Sequence, residues 1–478
     1  MTTVIRNLDW AVTWNAHAER HEYARGIDIA FDAAGLIHVG KDYAGPAATT
    51  IDGSDRLALP GLINIHTHPT SEPLRKGVTD ETLSPGFWHS SLYEFLTTIG
   101  NDPEGMRAAV QVAMGELMLS GVTTVVDLSV PFDGWLDILA DSGLRACIAP
   151  MFRDARWLTR NGHSLEYEWD HAAGRKAFDA AARLIERAQQ HPSGRLTGMV
   201  TPSQIDTCSA ELLRDAHDLA KERNLPFQVH AAQSMTEFRE MQRRHGMTPI
   251  QWMHSVGALD ERSIVGHGIF LDHHPWVHWP TRKDIGLLAD SGATVAHCPT
   301  VFAKRGINLR TFGDYRRAGV NMGIGTDTYP HNFIEEMRNA VYIARAAAGR
   351  LDDTFASDVF DAATIGGAKA LRRDDIGRLA TGAQSDLVLV DVQDRSMRPL
   401  YDPLRSLVFA AGERPITDVF VGGEAIVRNR VCQTIDLEAA TEALQEAQKR
   451  AAALVPERDW KGRTMSQLAP LSFPMAAR

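Results

Sequence analysis

The sequence predicts an α/β protein built on a (β/α)8 TIM-type barrel, with a small β-sandwich domain formed from the amino- and carboxyl-terminal segments. The barrel is predicted because short apolar runs alternate with segments of helical period from Pro60 onward, and the strand-helix unit recurs eight times. The second domain is predicted because β-rich segments flank this alternating region on both sides.

The predicted barrel strands are short apolar runs bounded by turn residues. In chain order they are LINIHTH, VTTVVDLS, LRACIAPMF, LTGMVTP, PFQVHAA, SIVGHGIF, ATVAHCPT and VNMGIGTD. Several of the intervening helical segments end at Gly or Asn, as left-handed C-caps do. A doubly wound open sheet is the alternative, but no Gly-x-Gly-x-x-Gly follows the first strand, so a dinucleotide site has no support.

The pattern divides the chain into three parts. Residues 60–381 form the predicted metal-dependent barrel, and residues 1–59 together with 382–435 form the β domain. Neither flank is long enough to bury a core alone, so the two are expected to pair. Residues 436–478 are predicted to form a carboxyl-terminal helix and tail.

Composition excludes several classes of protein. The net charge of −10 and the lack of a basic stripe argue against nucleic-acid binding, which needs clustered Lys and Arg. No apolar run approaches the roughly 18 to 20 residues of a membrane span, and charged residues interrupt the amino-terminal stretch where a secretory signal would be apolar. The four cysteines lie far apart and form no Cys-x-x-Cys pair. We therefore expect a cytoplasmic protein that acts on a small molecule.

Titratable residues lie at the ends of four predicted strands. His66 and His68 end the first strand two positions apart, so both side chains point to the same side. Strand five reaches His230, strand six holds His267, and strand eight ends in Asp327. Each residue alone has an ordinary explanation, such as a core histidine or a helix cap. Because the carboxyl ends of barrel strands face one active site, the set together predicts a metal site.

The predicted ligands are imidazoles and a carboxylate without a thiolate. Such a set suits one divalent transition metal ion, for which zinc is favoured and iron, manganese and cobalt are alternatives. Three imidazoles and one carboxylate leave room for a water, whose pKa such a metal lowers from 15.7 to roughly 7. The reaction class implied is hydrolysis.

LPGLINIHTH, VHAAQS, VGHGIFLD, AHCPT and GIGTD together resemble the amidohydrolase superfamily. The similarity is greatest to the branch of cytosine, guanine and S-adenosylhomocysteine deaminases and the triazine (atrazine) chlorohydrolases. The resemblance implies that His66, His68, His230 and Asp327 bind one metal ion. It also implies that His267 contacts the water or the substrate, that Asp327 accepts the water's proton, and that the protein forms a homo-oligomer.

Two further features bear on the family's chemistry. Dinuclear members bridge two metals through a carboxylated lysine on strand four, and LTGMVTPSQ has no lysine, which favours a mononuclear site. Deaminases of this branch usually carry His-x-x-Glu on strand five, but this sequence has Gln233 in place of the glutamate. An amide cannot ferry a proton near neutral pH, so Gln233 is predicted to hold the substrate by hydrogen bonds. Either the leaving group needs little protonation, or another acid such as His267 or His331 serves.

The remaining predicted substrate contacts lie in loops after strands one and eight. Arg75 is a candidate for holding a carboxylate or carbonyl group, and Trp88 with Phe87 for covering an aromatic ligand. The alternatives are a solvated loop position for Arg75 and for His331, and packing of Trp88 and Phe87 against the barrel.

The sequence therefore predicts a mononuclear metal-dependent hydrolase. Its substrate is a small nitrogen-containing, heterocyclic or aromatic compound, and the bond attacked is C–N, or C–Cl or C–S. Hydrolysis of an amide, carbamate or urea bond on the same scaffold is the first alternative. A non-catalytic barrel that serves as a binding module is an alternative of another class.

Overall fold

A computed structural model gives the fold of the chain and describes residues 1–82, 87, 92–310 and 312–476. The amino-terminal strands are β1 (Thr3–Leu8), β2 (Trp10–Asn15), β3 (Arg20–Ala24), β4 (Ile27–Asp32), β5 (Gly35–Gly40), β6 (Thr49–Asp52) and β7 (Arg56–Pro60). The central strands are β8 (Leu62–Thr67), β9 (Val122–Ser129), β10 (Arg145–Phe152), β11 (Ala155–Leu158), β12 (Glu166–Trp169), β13 (Leu196–Gly198), β14 (Thr201–Pro202), β15 (Phe227–Ala231), β16 (Ser263–His267), β17 (Thr294–His297) and β18 (Asn321–Ile324). The last strands are β19 (Leu387–Asp391), β20 (Ile416–Val421), β21 (Glu424–Arg428) and β22 (Val431–Cys432).

Helices alternate with the central strands along the chain, and further helices follow the last of these strands. They are α1 (Leu92–Thr98), α2 (Pro103–Leu119), α3 (Trp135–Ser142), α4 (His171–Gln189), α5 (Ala210–Glu222), α6 (Met235–His245), α7 (Pro249–Ser255), α8 (Asp284–Ser291), α9 (Pro299–Ala303), α10 (Phe312–Arg317), α11 (Phe333–Ala348), α12 (Ala356–Asp361), α13 (Gly367–Ala370), α14 (Pro403–Arg405), α15 (Leu437–Arg458) and α16 (Met465–Leu468). In the described part of the chain, no helix combines the length and the apolar character that crossing a bilayer requires.

Capping residues set the limits of many of these helices. Ser209 begins α5 by accepting a hydrogen bond from the backbone of Leu212 at 3.2 Å, and Asn332 begins α11 in the same way. Gly246 and Gly349 end α6 and α11 with φ of 65° and 67°, which glycine adopts without steric cost. These signals explain why helices predicted from period and glycine position recur in the structure.

The central strands other than β11 and β12 form a closed parallel barrel. β8, β9, β10 and β13 pair in one run, and β15, β16, β17 and β18 pair in another. Parallel bridges from Val200 to Phe227 and from Gln204 to His230 join the two runs on one side. On the other side Thr67 bridges Asp327, and this bridge closes the barrel. A TIM-barrel-type α/β fold, as the sequence predicts, is confirmed.

The barrel seam is a backbone contact between the first strand and the residues after the last. The amide of Asp327 donates to the carbonyl oxygen of His66 at 2.8 Å, and the amide of His68 donates to the carbonyl oxygen of Asp327 at 3.0 Å. Asp327 has a φ of 59°, in the left-handed region that Asp tolerates better than most residues. The seam therefore fixes Asp327 beside both histidines of the first strand.

Some elements differ from those the sequence predicts. The predicted fourth strand divides into β13 and β14, because Met199 bonds back to β10 and Val200 bonds across to Pro226. The eighth strand ends at Ile324, three residues before Asp327. The hairpin of β11 and β12 and the helices α1, α7 and α9 were not predicted.

The terminal segments pair with each other outside the barrel. β7 pairs antiparallel with β19 inside a sheet of order β22-β21-β20-β19-β7-β2-β3. A second sheet has the order β5-β4-β1-β6. One buried apolar cluster contains side chains of both sheets, among them Ile29 and Phe31 from β4 and Leu387 from β19. The amino- and carboxyl-terminal β segments thus share a hydrophobic core.

Candidate metal centre and active-site cavity

The five residues predicted at the strand ends lie together at the carboxyl-terminal rim of the barrel. His66 lies in β8 and His68 follows it, His230 lies in β15, His267 ends β16, and Asp327 lies at the seam. Four of the five side chains belong to buried residues, and His68 is partly exposed. Sequence positions far apart are therefore brought to one place by the parallel strand order.

Three of the imidazoles are held in one tautomer by oxygen acceptors. Nδ1 of His68 donates to the carbonyl oxygen of Leu128 at 2.8 Å, and Nδ1 of His230 donates to that of Ser203 at 2.6 Å. Nδ1 of His66 donates to Oε1 of Gln228. Because Nδ1 carries the hydrogen in each ring, each Nε2 presents a lone pair to the centre.

The Nε2 atoms and the Asp327 carboxylate are close to one another. Nε2 of His68 lies 3.2 Å from Nε2 of His230 and 3.2 Å from Oδ1 of Asp327. Nε2 of His66 lies 3.5 Å from the same Oδ1, and Nε2 of His267 lies 3.8 Å from Oδ2. Ligands about 2.0 to 2.1 Å from a tetrahedral zinc would lie about 3.3 Å apart, which these spacings match.

The polar contacts in the cluster fit a bound cation. Two lone pairs, on Nε2 of His68 and of His230, face each other at 3.2 Å, an arrangement that neutral rings do not favour. Nε2 of His66 is buried without a hydrogen-bond partner in the described part of the structure. Buried polar atoms rarely lack partners, so an unpartnered nitrogen aimed at a carboxylate fits a metal ligand. The residues present therefore fit a divalent metal ion.

Burial and mutual charge shift the pKa values of His230, His267 and Asp327 in the direction that metal binding needs, and that of His68 in the opposite direction. Burial, with the charges of neighbouring histidines, lowers the pKa of His230 well below its usual value, and burial likewise lowers that of His267. Burial opposes ionisation of Asp327, but His267, His66 and His68 outweigh it and lower its pKa. Burial disfavours protonation of His68, yet the hydrogen bond and charge of Asp327 raise its pKa. Neutral imidazoles and an ionised carboxylate are the forms that bind metal.

A cavity of about 310 Å³ opens onto the cluster. Its lining includes His68, His230, His267, Asp327 and Gln233. This volume lies at the lower end of the range for small-molecule sites, roughly 300 to 1,000 Å³. Gln233 is buried, and its amide nitrogen donates to Oε1 of Gln204 at 2.5 Å. Its side chain therefore lies in the cavity wall, which the histidines and Asp327 also line.

The other predicted substrate contacts have different positions. Arg75 lines the cavity, but its guanidinium pairs with Glu72 and donates to the carbonyl oxygen of Ile99 at 3.1 Å. His331 is fully buried behind the first strand, where its Nε2 lies 3.1 Å from Oγ1 of Thr67, and it is not among the described residues that line the cavity. Trp88 lies outside the described residues.

Sequence reasoning missed several residues of the site. Gln228 orients His66, and the signal for it was a polar side chain in the middle of a buried strand, two positions before His230 and therefore on the same face. Arg153 directly follows β10, Arg305 follows α9, and both line the cavity. The sequence signal for both arginines is a cationic residue in the segment that follows a barrel strand.

A closed barrel that gathers imidazoles and a carboxylate at its carboxyl-terminal rim, beside a cavity, defines the class of metal-dependent hydrolases. The sequence model of the amidohydrolase family matches residues 57–426. The chain belongs to the amidohydrolase family, and the predicted resemblance is confirmed.

Comparison with known proteins gives relatives of the same kind. The 5-methylthioadenosine/S-adenosylhomocysteine deaminase of Natronomonas pharaonis is 29% identical over 427 residues, which cover 88% of this chain and 91% of the relative. The structure of an adenosine deaminase from Xanthomonas campestris with bound zinc aligns with a TM-score of 0.79 at 22% identity, covering 94% and 98% of the two chains. That of atrazine chlorohydrolase from Arthrobacter aurescens TC1 complexed with zinc aligns with a TM-score of 0.78 at 22% identity, covering 93% and 100%. The predicted hydrolase of amidohydrolase type is thereby confirmed.

Proposed function

We propose that the protein is a mononuclear zinc-dependent hydrolase that releases an amine from a carbon of a small nitrogen heterocycle. The observation that carries the proposal is the convergence of His66, His68, His230 and Asp327, with His267 beside them, on one cavity. The names of the deaminase relatives support a substrate with an exocyclic amine on a purine-like ring. Iron, manganese and cobalt are the other metals that suit these ligands.

In this proposal the ligands are His66, His68, His230 and Asp327. A divalent ion held there supplies the Lewis acidity that makes water a nucleophile near neutral pH. Asp327 has a second oxygen, Oδ2, 3.8 Å from Nε2 of His267, and this oxygen is placed to accept the proton of the attacking water. His267 orients that water or polarises the substrate, because its Nδ1 has no partner among the described residues and its Nε2 faces Asp327.

Gln233 sets a limit on the leaving group. In the proposed site it binds the substrate by hydrogen bonds beside Gln204, and it carries no proton to the leaving group near neutral pH. The proton that a departing amine requires therefore comes from Asp327 or His267. The amide of Gln233 also supports a second candidate function, which is release of chloride or a thiolate. These leaving groups need little protonation, so an amide at this position suffices.

The other predicted residues and regions stay proposals. Arg75 and Trp88 remain candidates for substrate binding, and the position of His331 supports a role in holding Thr67 between the two histidines. We propose that residues 1–59 and 382–435 form a small β-sandwich domain, 60–381 the barrel, and 436–478 a terminal helix and tail, which the shared core of the two sheets supports. A homo-oligomeric state and a cytoplasmic location also remain predictions.

The experiment is a product screen with the zinc-loaded protein. The compounds offered are adenosine-type nucleosides, amino- and chloro-substituted triazines, and simple amides, carbamates and ureas. The products measured are ammonia, chloride and acyl-cleaved compounds. We expect ammonia from at least one heterocycle and no turnover after chelation of the metal. Acyl products alone would identify an amidase. Far less than one equivalent of bound metal after reconstitution, with no product, would favour a binding module.

A further inference from the structure

Arg305 lies in the wall of the active-site cavity. It follows α9, on the chain segment after the seventh barrel strand, and it lines the same cavity as His267 and Asp327. It is half-buried, so its guanidinium is held at the cavity surface rather than free in bulk solvent. A ligand that reaches His267 and Asp327 therefore occupies the cavity that Arg305 lines.

The guanidinium of Arg305 has no hydrogen-bond acceptor and no ion-pair partner among the residues that the structure describes. Arg75, on the same cavity wall, is the opposite case, because Glu72 and the carbonyl oxygen of Ile99 already accept from it. A guanidinium offers five N–H donors in a planar fork that matches a carboxylate. Of the two cavity arginines that contact Phe95, Arg305 is therefore the one available to a ligand. Arg153, an exposed residue, also lines the cavity without a described partner.

Phe95 holds the Arg305 side chain in place. Cζ of Arg305 lies 5.6 Å from the centroid of the Phe95 ring, and Cζ of Arg75 lies 5.1 Å from the same centroid. Phe95 is itself buried, so both guanidinium groups contact one fixed aromatic ring. The position of Arg305 is thus built into the wall by packing.

Apolar side chains complete the wall around these charges. The cavity lining includes Leu96, Met106, Met151 and Trp157. An apolar or aromatic body fits this lining, while an acidic end of the same molecule fits Arg305. The ligand class is therefore an aromatic or heterocyclic compound that carries an anionic group.

We propose that Arg305 binds a carboxylate, or another planar anion, of the substrate and so selects acidic substrates over neutral ones of the same shape. This inference rests on the proposed function, because it assumes that the cavity is the substrate site. Arg305 acts here as a specificity residue, and the hydrolytic step itself does not require it.

Direct binding to the zinc-loaded protein tests the proposal without turnover. Benzoate and benzamide, which differ in charge and little in shape, are titrated by calorimetry into the wild type, Arg305→Met and Arg310→Met. Arg310 is an exposed arginine in the same loop that does not line the cavity, so it is the matched control. We expect Arg305→Met to weaken benzoate binding about tenfold or more, since a charge-assisted hydrogen bond is lost, and to leave benzamide unchanged.

Several outcomes would overturn the proposal. One is a wild type that does not bind benzoate more tightly than benzamide, including one that binds neither. Another is a benzoate affinity that changes by less than twofold in Arg305→Met and is lost when the zinc is chelated. The anion would then bind the metal and not Arg305. Arg305→Lys, which keeps the charge and loses the fork, should retain part of the benzoate affinity and guards against misfolding of the Met variant. Benzoate binding through Arg305 without any turnover would contradict the proposed function alone.

Discussion

His66 donates its Nδ1 hydrogen to Oε1 of Gln228, and the amide of Gln228 donates in turn to the carbonyl oxygen of Ile65 at 3.1 Å. The pair spans the barrel between the first strand and the fifth. It fixes the ring so that Nε2 of His66 lies 3.5 Å from Oδ1 of Asp327. The neutral amide of Gln228 thus determines that Nε2 of His66, and not Nδ1, faces the candidate metal site.

Removing this acceptor should weaken metal binding. Gln228→Met keeps the volume of the side chain but offers His66 no oxygen, and we expect zinc affinity to fall by about 10- to 100-fold, the usual effect of losing such a partner. Competition with a chromophoric chelator measures the affinity. Gln228→Glu keeps an acceptor and should bind more tightly than Gln228→Met. Equal affinity of Gln228→Met and the wild type would show that Gln228 does not support the site.

Asp327→Asn should abolish turnover while the barrel stays closed. The seam uses backbone atoms of Asp327, at 2.8 and 3.0 Å, so the substitution leaves these bonds in place. Loss of a proton acceptor costs about 10²- to 10⁴-fold, and loss of a charged ligand adds to this. Steady-state kinetics give the rate, and circular dichroism with a melting curve gives the fold. Asp352→Asn, at an exposed position, is the control and should be fully active. Retained turnover would remove Asp327 from the mechanism.

Gln233→Glu should change the leaving-group preference. A carboxyl group beside His230 can carry a proton to a departing amine, which the amide cannot. Ammonia release from an amino-substituted ring should therefore rise by about 10²-fold relative to chloride release from the matching chloro compound. The ratio of the two rates is the measurement. Gln233→Leu, which can neither hydrogen-bond nor carry a proton, should lower both rates. A constant ratio in Gln233→Glu would argue that leaving-group protonation is not limiting.

The contribution of Asp284 to stability should fall as pH rises towards 6; its buried carboxyl group lies at the start of α8, after the sixth barrel strand. Burial, and then the charge of Asp272, raise the pKa of Asp284 to about 6 from its usual 3.8. The folded protein thus binds this proton more tightly than the unfolded chain does. The resulting stabilisation is full below pH 3.8 and is lost as pH rises through about 6.

The variant Asp272→Asn isolates this effect. Oδ2 of Asp272 accepts from the backbone of Lys283 at 2.5 Å and from Thr281 at 2.6 Å, whereas Oδ1 has no described partner, so an amide can replace the unpaired oxygen. Removing the like charge should lower the pKa of Asp284 and flatten the change of unfolding free energy between pH 4 and 6. Denaturant titrations across that range measure the slope. An unchanged slope in Asp272→Asn would exclude Asp272 as a cause.

Much of the barrel could be predicted because each strand is a short apolar run between turn residues. β15, for example, lies wholly within the predicted segment PFQVHAA. What could not be predicted depended on partners distant in sequence. The fourth strand breaks because its two halves bond to different neighbours, and no local pattern encodes that choice.

The candidate site also contains some residues that could be predicted from the sequence and others that could not. His230, His267 and Asp327 were predicted to meet because the ends of parallel strands share one rim, and this rule does not depend on loop conformation. Gln228 was missed because an amide is not itself a usual metal ligand, although its place two positions before His230 puts it on the same face of the strand. The cavity position of Arg305 depends on packing against Phe95, a residue far away in the sequence.

The seam between Thr67 and Asp327 has a consequence for how the protein is made. A nascent chain that has left the ribosome only as far as β16 already carries the imidazoles of the cluster, but it lacks both the carboxylate and the contact that closes the cylinder. A cation bound at that stage meets an incomplete set of ligands. The full set of proposed ligands is therefore present only after synthesis has passed the last barrel strand.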